Sequence, residues 1–168
     1  SETPSSVMEM LSMPYWDEYY AKNQLPQAYN EYMIDTLFIS LEDTIADTFY
    51  HWIFANLEDA RNPAKCANKW LQLHQLYLPE IDYTGLEAQS GNQWQSMMLN
   101  FHYPFFAMEY VYGRVAGLNL LGLVLENPEK AIAKYRHALS LGNSVATKDL
   151  FSALDTHFPL SREDVISA

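Results

Sequence analysis

The stretch FHYPFFAMEYVYGRVAGLNLLGL, residues 101–123, decides the fold of this chain. Drawn as a helix it carries apolar residues on every side, and a helix of that kind is buried. Pro104 lacks a backbone N–H and crowds the preceding turn, so we expect a kink or a helix start near Phe101. Close approach of another backbone is expected at three glycines: Gly113, Gly117 and Gly122. The charge-free part, 115–125, is shorter than the roughly 20 residues of a membrane span, which predicts a central core helix.

Helical patterns dominate the rest of the chain. Apolar residues recur mostly every fourth position over 26–57, which predicts one long amphipathic helix. The Asn-Pro pairs at 62–63 and 127–128 are typical of a helix cap followed by proline at the first helical position. Gly142 is expected to close the second of these helices. Alternating patterns are short and embedded in helical ones, so the sequence predicts an all-α fold.

Composition and charge limit the class of protein. The 168 residues are 49 % hydrophobic and 14 % aromatic, which favours one compact helical domain over 1–168. The formal charge of −11 opposes binding to nucleic acid or to an anionic membrane. Cys66 is the only cysteine, so no intrachain disulfide can form. Because the N-terminal residues show neither the basic nor the apolar region of a signal peptide, we expect a cytoplasmic protein.

Few side chains stand out as chemical groups. No histidine lies four residues from another, so a two-histidine metal face on one helix is absent from the sequence. His102 lies in the most apolar stretch, where a hydrogen-bonded core histidine is more common than a catalyst. Glu42, Asp43 and Asp47 are interpreted as a solvated helix face, and Cys66 as an inert buried thiol. Taken alone, these residues support no reaction.

Five segments together resemble one protein family. Residues 91–110, GNQWQSMMLNFHYPFFAMEY, are similar to the C-terminal part of the oligoendopeptidase F branch of the thimet oligopeptidase family of zinc metallopeptidases. The other four segments follow in family order: ETPSSVMEMLSMPYWDEYY (2–20), DTFYHWIFAN (47–56), LPEIDYTGLE (78–87) and ALSLGNS (138–144). The resemblance covers nearly the whole chain and implies a helical fold like the C-terminal part of a zincin-type oligopeptidase.

The family's chemistry assigns roles to three residues. In the family, an HExxH helix and a downstream glutamate hold zinc, and C-terminal His and Tyr groups stabilise the oxyanion, in keeping with general metal-hydrolase logic. By the resemblance, Glu2 matches the third zinc ligand and Tyr110 matches a tyrosine of the oxyanion group. His102, one helical turn after Leu99, is a vestigial candidate for the imidazole.

The sequence also departs from the family pattern. It contains no HExxH, so two ligands and the general base are missing. Leu99 stands where family members usually have a histidine, and Phe106 and Ala107 stand where they usually have a Tyr-Tyr pair. A single carboxylate cannot hold zinc in a defined tetrahedron. We therefore expect no zinc in this chain alone.

Three functional hypotheses remain. The first is a truncated oligoendopeptidase F-like metallopeptidase that is catalytically inactive as this chain alone. The second is a noncatalytic helical module that binds short peptides or serves assembly, and the third is half of a split peptidase completed by a chain that carries HExxH. The first two hypotheses predict an apolar surface left from the missing half, and hence a homo-oligomer.

Overall fold

Helices are the regular secondary structure of this chain wherever its structure is described. A computed structural model describes residues 3–97, 101–156 and 158. These residues form helices, turns and loops without a strand, which confirms the all-α prediction. The α-helices are α1 (Thr3–Ser12), α2 (Leu25–Ala55), α3 (Leu57–Ala60), α4 (Pro63–Tyr77), α5 (Glu87–Gly91), α6 (Ala107–Glu126), α7 (Pro128–Leu141) and α8 (Thr147–Ala153). Short 3-10 helices cover Met13–Glu18 and Gln93–Ser96.

The helices are distributed over two compact units. The first unit comprises Ser1–Thr36 and Glu109–Ala168, and the second comprises Leu37–Met108. The single domain over 1–168 stays a prediction.

Local sequence signals set the ends of α4 and α7. The Asn62 side chain accepts a hydrogen bond from the Ala64 N–H at 3.0 Å, and the Asn127 side chain accepts one from the Lys130 N–H at 3.0 Å. Each asparagine satisfies a helix donor that has no partner within the helix, and each is followed by proline at the first helical position. Gly142 follows α7 with φ +52° and ψ −128°, a conformation that only glycine adopts without strain. These three predictions are confirmed.

The stretch around Pro104 differs from the prediction. Pro104 lies in a turn, Phe105 has φ +68°, and α6 begins only at Ala107. The side chains of Phe101, Tyr103 and Phe105 are 49 %, 63 % and 40 % exposed. Phe101 and His102 are helical, whereas residues 103–106 form a bend and a turn before α6. The predicted burial is therefore wrong for residues 101–105, because the chain leaves the helix here and exposes these aromatic side chains.

The first unit has its own hydrophobic core. Buried side chains from α1, α6, α7 and α8 build it: Val7, Ala116, Leu120, Val124, Ala131, Tyr135, Ala138, Phe151 and Leu154. A Cβ placed on Gly117 would lie only 2.8 Å from the Met10 sulfur, so α1 packs directly on the α6 backbone. A Cβ placed on Gly122 would have no atom within 4 Å. The prediction of close approach is therefore right at Gly117 and wrong at Gly122.

The second unit is built around aromatic side chains. Its buried core consists of Ile45, Ala46, Phe49, Cys66, Trp70, Leu73, Leu78 and Ala107. The Phe49 ring centroid lies 5.1 Å from that of Trp70 and 5.5 Å from that of Trp94. Cys66 is 2 % exposed, and its thiol donates to the Ala60 carbonyl oxygen at 3.3 Å. Burial raises the pKa of this thiol, as expected for an inert buried cysteine.

None of the helices in the described ranges combines the length and the apolar character that a membrane crossing requires.

Candidate functional site

The three residues assigned by the family resemblance lie in different parts of the chain. Glu2, like Leu99, falls outside the described residues. His102 belongs to the second unit and is exposed, with its ring centroid 6.5 Å from that of Tyr103, so the prediction of a core histidine is wrong. Tyr110 belongs to the first unit and is half-buried, with the Arg114 guanidinium carbon 5.7 Å from its ring centroid. The roles assigned to Glu2, His102 and Tyr110 stay predictions.

Zinc requires several donors at one place, typically His, Cys or carboxylate side chains. Within residues 3–97, 101–156 and 158, no group of three or more His, Cys, Asp or Glu side chains is arranged to hold a metal ion. The donor set in this part of the chain does not fit the family's zinc, and we derive no chemical step through it.

The acidic cluster on α2 is less solvated than predicted. The side chains of Glu42 and Asp47 are only 18 % and 15 % exposed. Burial raises the pKa of both carboxyl groups; the charge of Asp43 adds to this at Glu42, whereas His51 opposes it at Asp47. The predicted solvated face is therefore wrong for Glu42 and Asp47, because this side of α2 packs toward other residues of the second unit.

Glu42 takes part in a buried polar cluster with His74 and Tyr83. His74, on α4, is 2 % exposed, and its Nδ1 lies 3.0 Å from the Tyr83 hydroxyl and 3.7 Å from Glu42 Oε1. In the described part of the chain, His74 Nε2 has no hydrogen-bond partner. Burial lowers the pKa of His74, while burial and then the Glu42 charge raise the pKa of Tyr83. The cluster therefore holds a neutral imidazole whose protonation would bury a charge.

The first unit contains a cavity of about 300 Å³. It lies where the start of α1 meets α6, α7, α8 and the turn between the last two helices. The cavity is lined by Thr3, Pro4, Glu109, Tyr135, Ala138, Leu139, Gly142, Asn143, Thr147, Leu150, Phe151 and Leu154. Most of this lining is apolar, and the volume is at the lower end of the range for small-molecule sites.

Specific contacts shape the cavity wall. The Tyr135 hydroxyl donates to the Pro4 carbonyl oxygen at 3.0 Å, which fixes the start of α1 against α7. Lys134 of α7, which does not line the cavity, has its Nζ 2.6 Å from the carboxylate of Asp155, just after α8. The Lys134 hydrogen bond lowers the pKa of this carboxyl group. The hydrogen bond joins α1 to α7, and the ion pair joins α7 to the segment after α8, so both connect elements whose residues line the cavity.

One charged side chain lines the cavity. Glu109, in the first turn of α6, is half-buried. It forms no ion pair with any residue that the structure describes. Asn143, in the turn after α7, and Thr147, at the start of α8, are uncharged polar residues that also line the cavity. The cavity thus combines an apolar interior with one carboxylate that no described cation neutralises.

Sequence reasoning missed the cavity and the His74 cluster. Each assembles residues from distant segments, and no local motif marks them. The only available signal for His74 was its place within the apolar face of α4, between Trp70 and Tyr77. Neither Glu109 nor Asn143 carries a signal beyond its membership of the segments that resemble the peptidase family.

Comparison of the chain with protein-family models, with curated proteins and with solved structures finds no match.

Proposed function

We propose that this chain is an oligoendopeptidase F-like helical module that binds short peptides and is catalytically inactive as this chain alone. The single observation that carries the binding proposal is the apolar cavity of about 300 Å³ in the first unit. The resemblance of residues 91–110 and of the four other segments supports a peptide as the ligand class. The sequence lacks HExxH, which supports inactivity of this chain alone.

The cavity has room for one side chain of a peptide. Burying an aromatic or branched aliphatic side chain contributes about 1.5–3 kcal/mol, and ordering the peptide offsets part of it. We therefore expect dissociation constants on the order of 10 mM or weaker for a tripeptide with one apolar side chain. Titration followed by amide chemical-shift changes detects binding of this strength.

The first test uses Phe-Ala-Ala-amide and Gly-Gly-Gly-amide as probes. Phe-Ala-Ala-amide should perturb the amide signals of cavity residues such as Ala138, Leu150 and Phe151, whereas the glycine tripeptide should leave them unchanged. Equal responses to both peptides, or no response to either, would show that the cavity is not a side-chain site.

A matched pair of variants localises the binding. Asn143 lines the cavity, whereas Ser144, the next residue of the same exposed turn, does not. Asn143→Trp places an indole at the cavity and should weaken binding of Phe-Ala-Ala-amide at least 10-fold, while Ser144→Trp should bind as the parent chain does. The reverse order would place the ligand elsewhere.

Inactivity is tested separately from binding. We expect an internally quenched nonapeptide to stay intact on incubation with the purified chain, and the dialysed chain to hold less than stoichiometric zinc by elemental analysis. Cleavage that a chelator abolishes, together with stoichiometric zinc, would overturn the inactive assignment.

A further inference from the structure

We propose that the cavity of the first unit recognises the N-terminus of a peptide, with the free α-ammonium group paired to Glu109 and the first side chain, an apolar one, in the cavity. This inference rests on the proposed function and specifies the ligand: a peptide with an unblocked N-terminal residue such as Phe or Leu.

The charge of Glu109 is the first feature that suits an N-terminal ammonium group. Glu109 is the one formally charged residue among those that line the cavity, and it is half-buried. A partly desolvated carboxylate beside apolar surface is unfavourable unless a cation or several donors compensate it. Because no described residue forms an ion pair with Glu109, an entering ammonium group supplies the missing partner.

The size of the cavity is the second feature that suits such a ligand. At about 300 Å³ the cavity is small, so a single residue that carries both the cation and the apolar group suits it better than two separate residues. In an N-terminal Phe or Leu, the ammonium group and the side chain branch from one Cα. A lysine side chain instead ends in its charge and brings no apolar group beyond its stem.

Other polar groups that line the cavity suit the remainder of such a residue. Asn143 offers both a donor and acceptors, and Thr147 offers a hydroxyl, at the turn that lines the cavity. A peptide's first carbonyl and second N–H need partners of these kinds. The net charge of −11 also raises the concentration of cationic peptides near the chain.

The test compares Phe-Ala-Ala-amide with N-acetyl-Phe-Ala-Ala-amide on the parent chain. Acetylation removes the charge and keeps the side chain, so it should weaken binding at least 10-fold. Binding of the free peptide should also weaken as the pH rises through the α-amino pKa, which is about 7.7–8.0. Equal binding of both peptides would overturn recognition of the N-terminus while leaving the peptide-binding function in place, and binding of neither would end both proposals.

A charge-matched pair of variants tests the assigned partner. Glu109→Gln should bind the free and the acetylated peptide equally, whereas Glu129→Gln, which removes an exposed charge that does not line the cavity, should keep the 10-fold preference. A preference retained in Glu109→Gln would show that another group binds the ammonium. Phenethylamine serves as a free-amine probe: binding as tight as that of Phe-Ala-Ala-amide would assign the cavity to small amines instead of peptides.

Discussion

His74 lies in the second unit with two neighbours that titrate, Tyr83 and Glu42. Because only 2 % of His74 is exposed, its protonation would place a positive charge in a poorly solvated site. The Glu42 carboxylate would compensate that charge, but its own burial makes the charged carboxylate unfavourable as well. Both protonation of His74 and ionisation of Glu42 therefore make the stability of this cluster depend on pH.

The lowered pKa of His74 makes stability depend on pH below neutrality. The unfolded chain takes up this proton near the ordinary pKa of 6.5, whereas the folded chain takes it up only at lower pH. Between pH 7.5 and 5.5 the free energy of unfolding should therefore fall, by at most about 1.4 kcal/mol per pH unit from this group. In His74→Gln, this contribution should disappear from urea unfolding curves.

Two features make this measurement specific. Glu42 has a raised pKa, so the folded chain takes up its proton first, and its contribution has the opposite sign: stability is lost as the pH rises through the folded pKa. His137→Gln removes an exposed histidine and should retain the parent pH dependence. If His74→Gln and His137→Gln showed the same pH dependence, His74 would not be the responsible group.

Single residues also show where sequence reasoning ends. Asn62 and Asn127 were predictable as caps because each bonds a backbone N–H two or three residues away. His74 was not, because Glu42 comes from a different helix and Tyr83 from the loop after α4. His102 was mispredicted because its apolar neighbours in sequence, Phe101 and Tyr103, are themselves exposed and give no burial.

Helix α6 contains one glycine in close contact with α1 and another that faces open space. Near its middle, Gly117 faces Met10 of α1, and the Ser6 carbonyl oxygen lies 3.4 Å from the point that an alanine Cβ would occupy. Near its end, Gly122 is exposed and has no neighbour within 4 Å of the same point. The contact with α1 therefore favours glycine at position 117, whereas no neighbouring atom does so at position 122.

The same substitution at these two positions should have opposite effects on stability. Gly117→Ala gains helix propensity too, but it forces the buried Met10 sulfur to move. Because overpacking costs about 1–3 kcal/mol and the propensity gain offsets up to about 1 kcal/mol, it should destabilise the chain by up to about 2 kcal/mol. Gly122→Ala gains helix propensity without a clash and should stabilise it by about 0.5–1 kcal/mol. Chemical unfolding of both variants gives the comparison, and a destabilised Gly122→Ala would contradict the open position.

The ends and lengths of the helices were largely predictable, because caps and periodicity act over a few residues. The helix predicted over 26–57 is found as α2, Leu25–Ala55. The start of α6 was not predictable to the residue: Pro104 indicates a break, but the positive φ of Phe105 places the turn over the residues that follow it. The cavity depends on how α1, α6, α7 and α8 pack, and periodicity does not specify that.

Helix α2 presents an apolar face to solvent. Leu37, Phe38 and Leu41 lie on one side of this helix and are 56 %, 41 % and 36 % exposed. Apolar residues grouped in this way on a folded surface are typical of an interaction site. This face supports the prediction of a homo-oligomer.

We expect a concentration-dependent dimer in light scattering. Because each copy carries a formal charge of −11, added salt should strengthen the association by screening the repulsion. The double variant Leu37→Gln/Phe38→Gln should be a monomer at the same concentration. Leu76→Gln, which removes a 69 % exposed leucine from α4, should still dimerise; a parent chain that stays monomeric at high concentration would refute the prediction.

The reactivity of the buried Cys66 thiol reports local opening of the second unit. As the one cysteine of the chain, it is the only side chain that a thiol reagent can label, and its 2 % exposure blocks the folded state from reacting. The labelling rate therefore depends on how often α4 separates from the core of the second unit. Dividing that rate by the rate for a short cysteine peptide gives the local opening equilibrium of this unit directly, without denaturant.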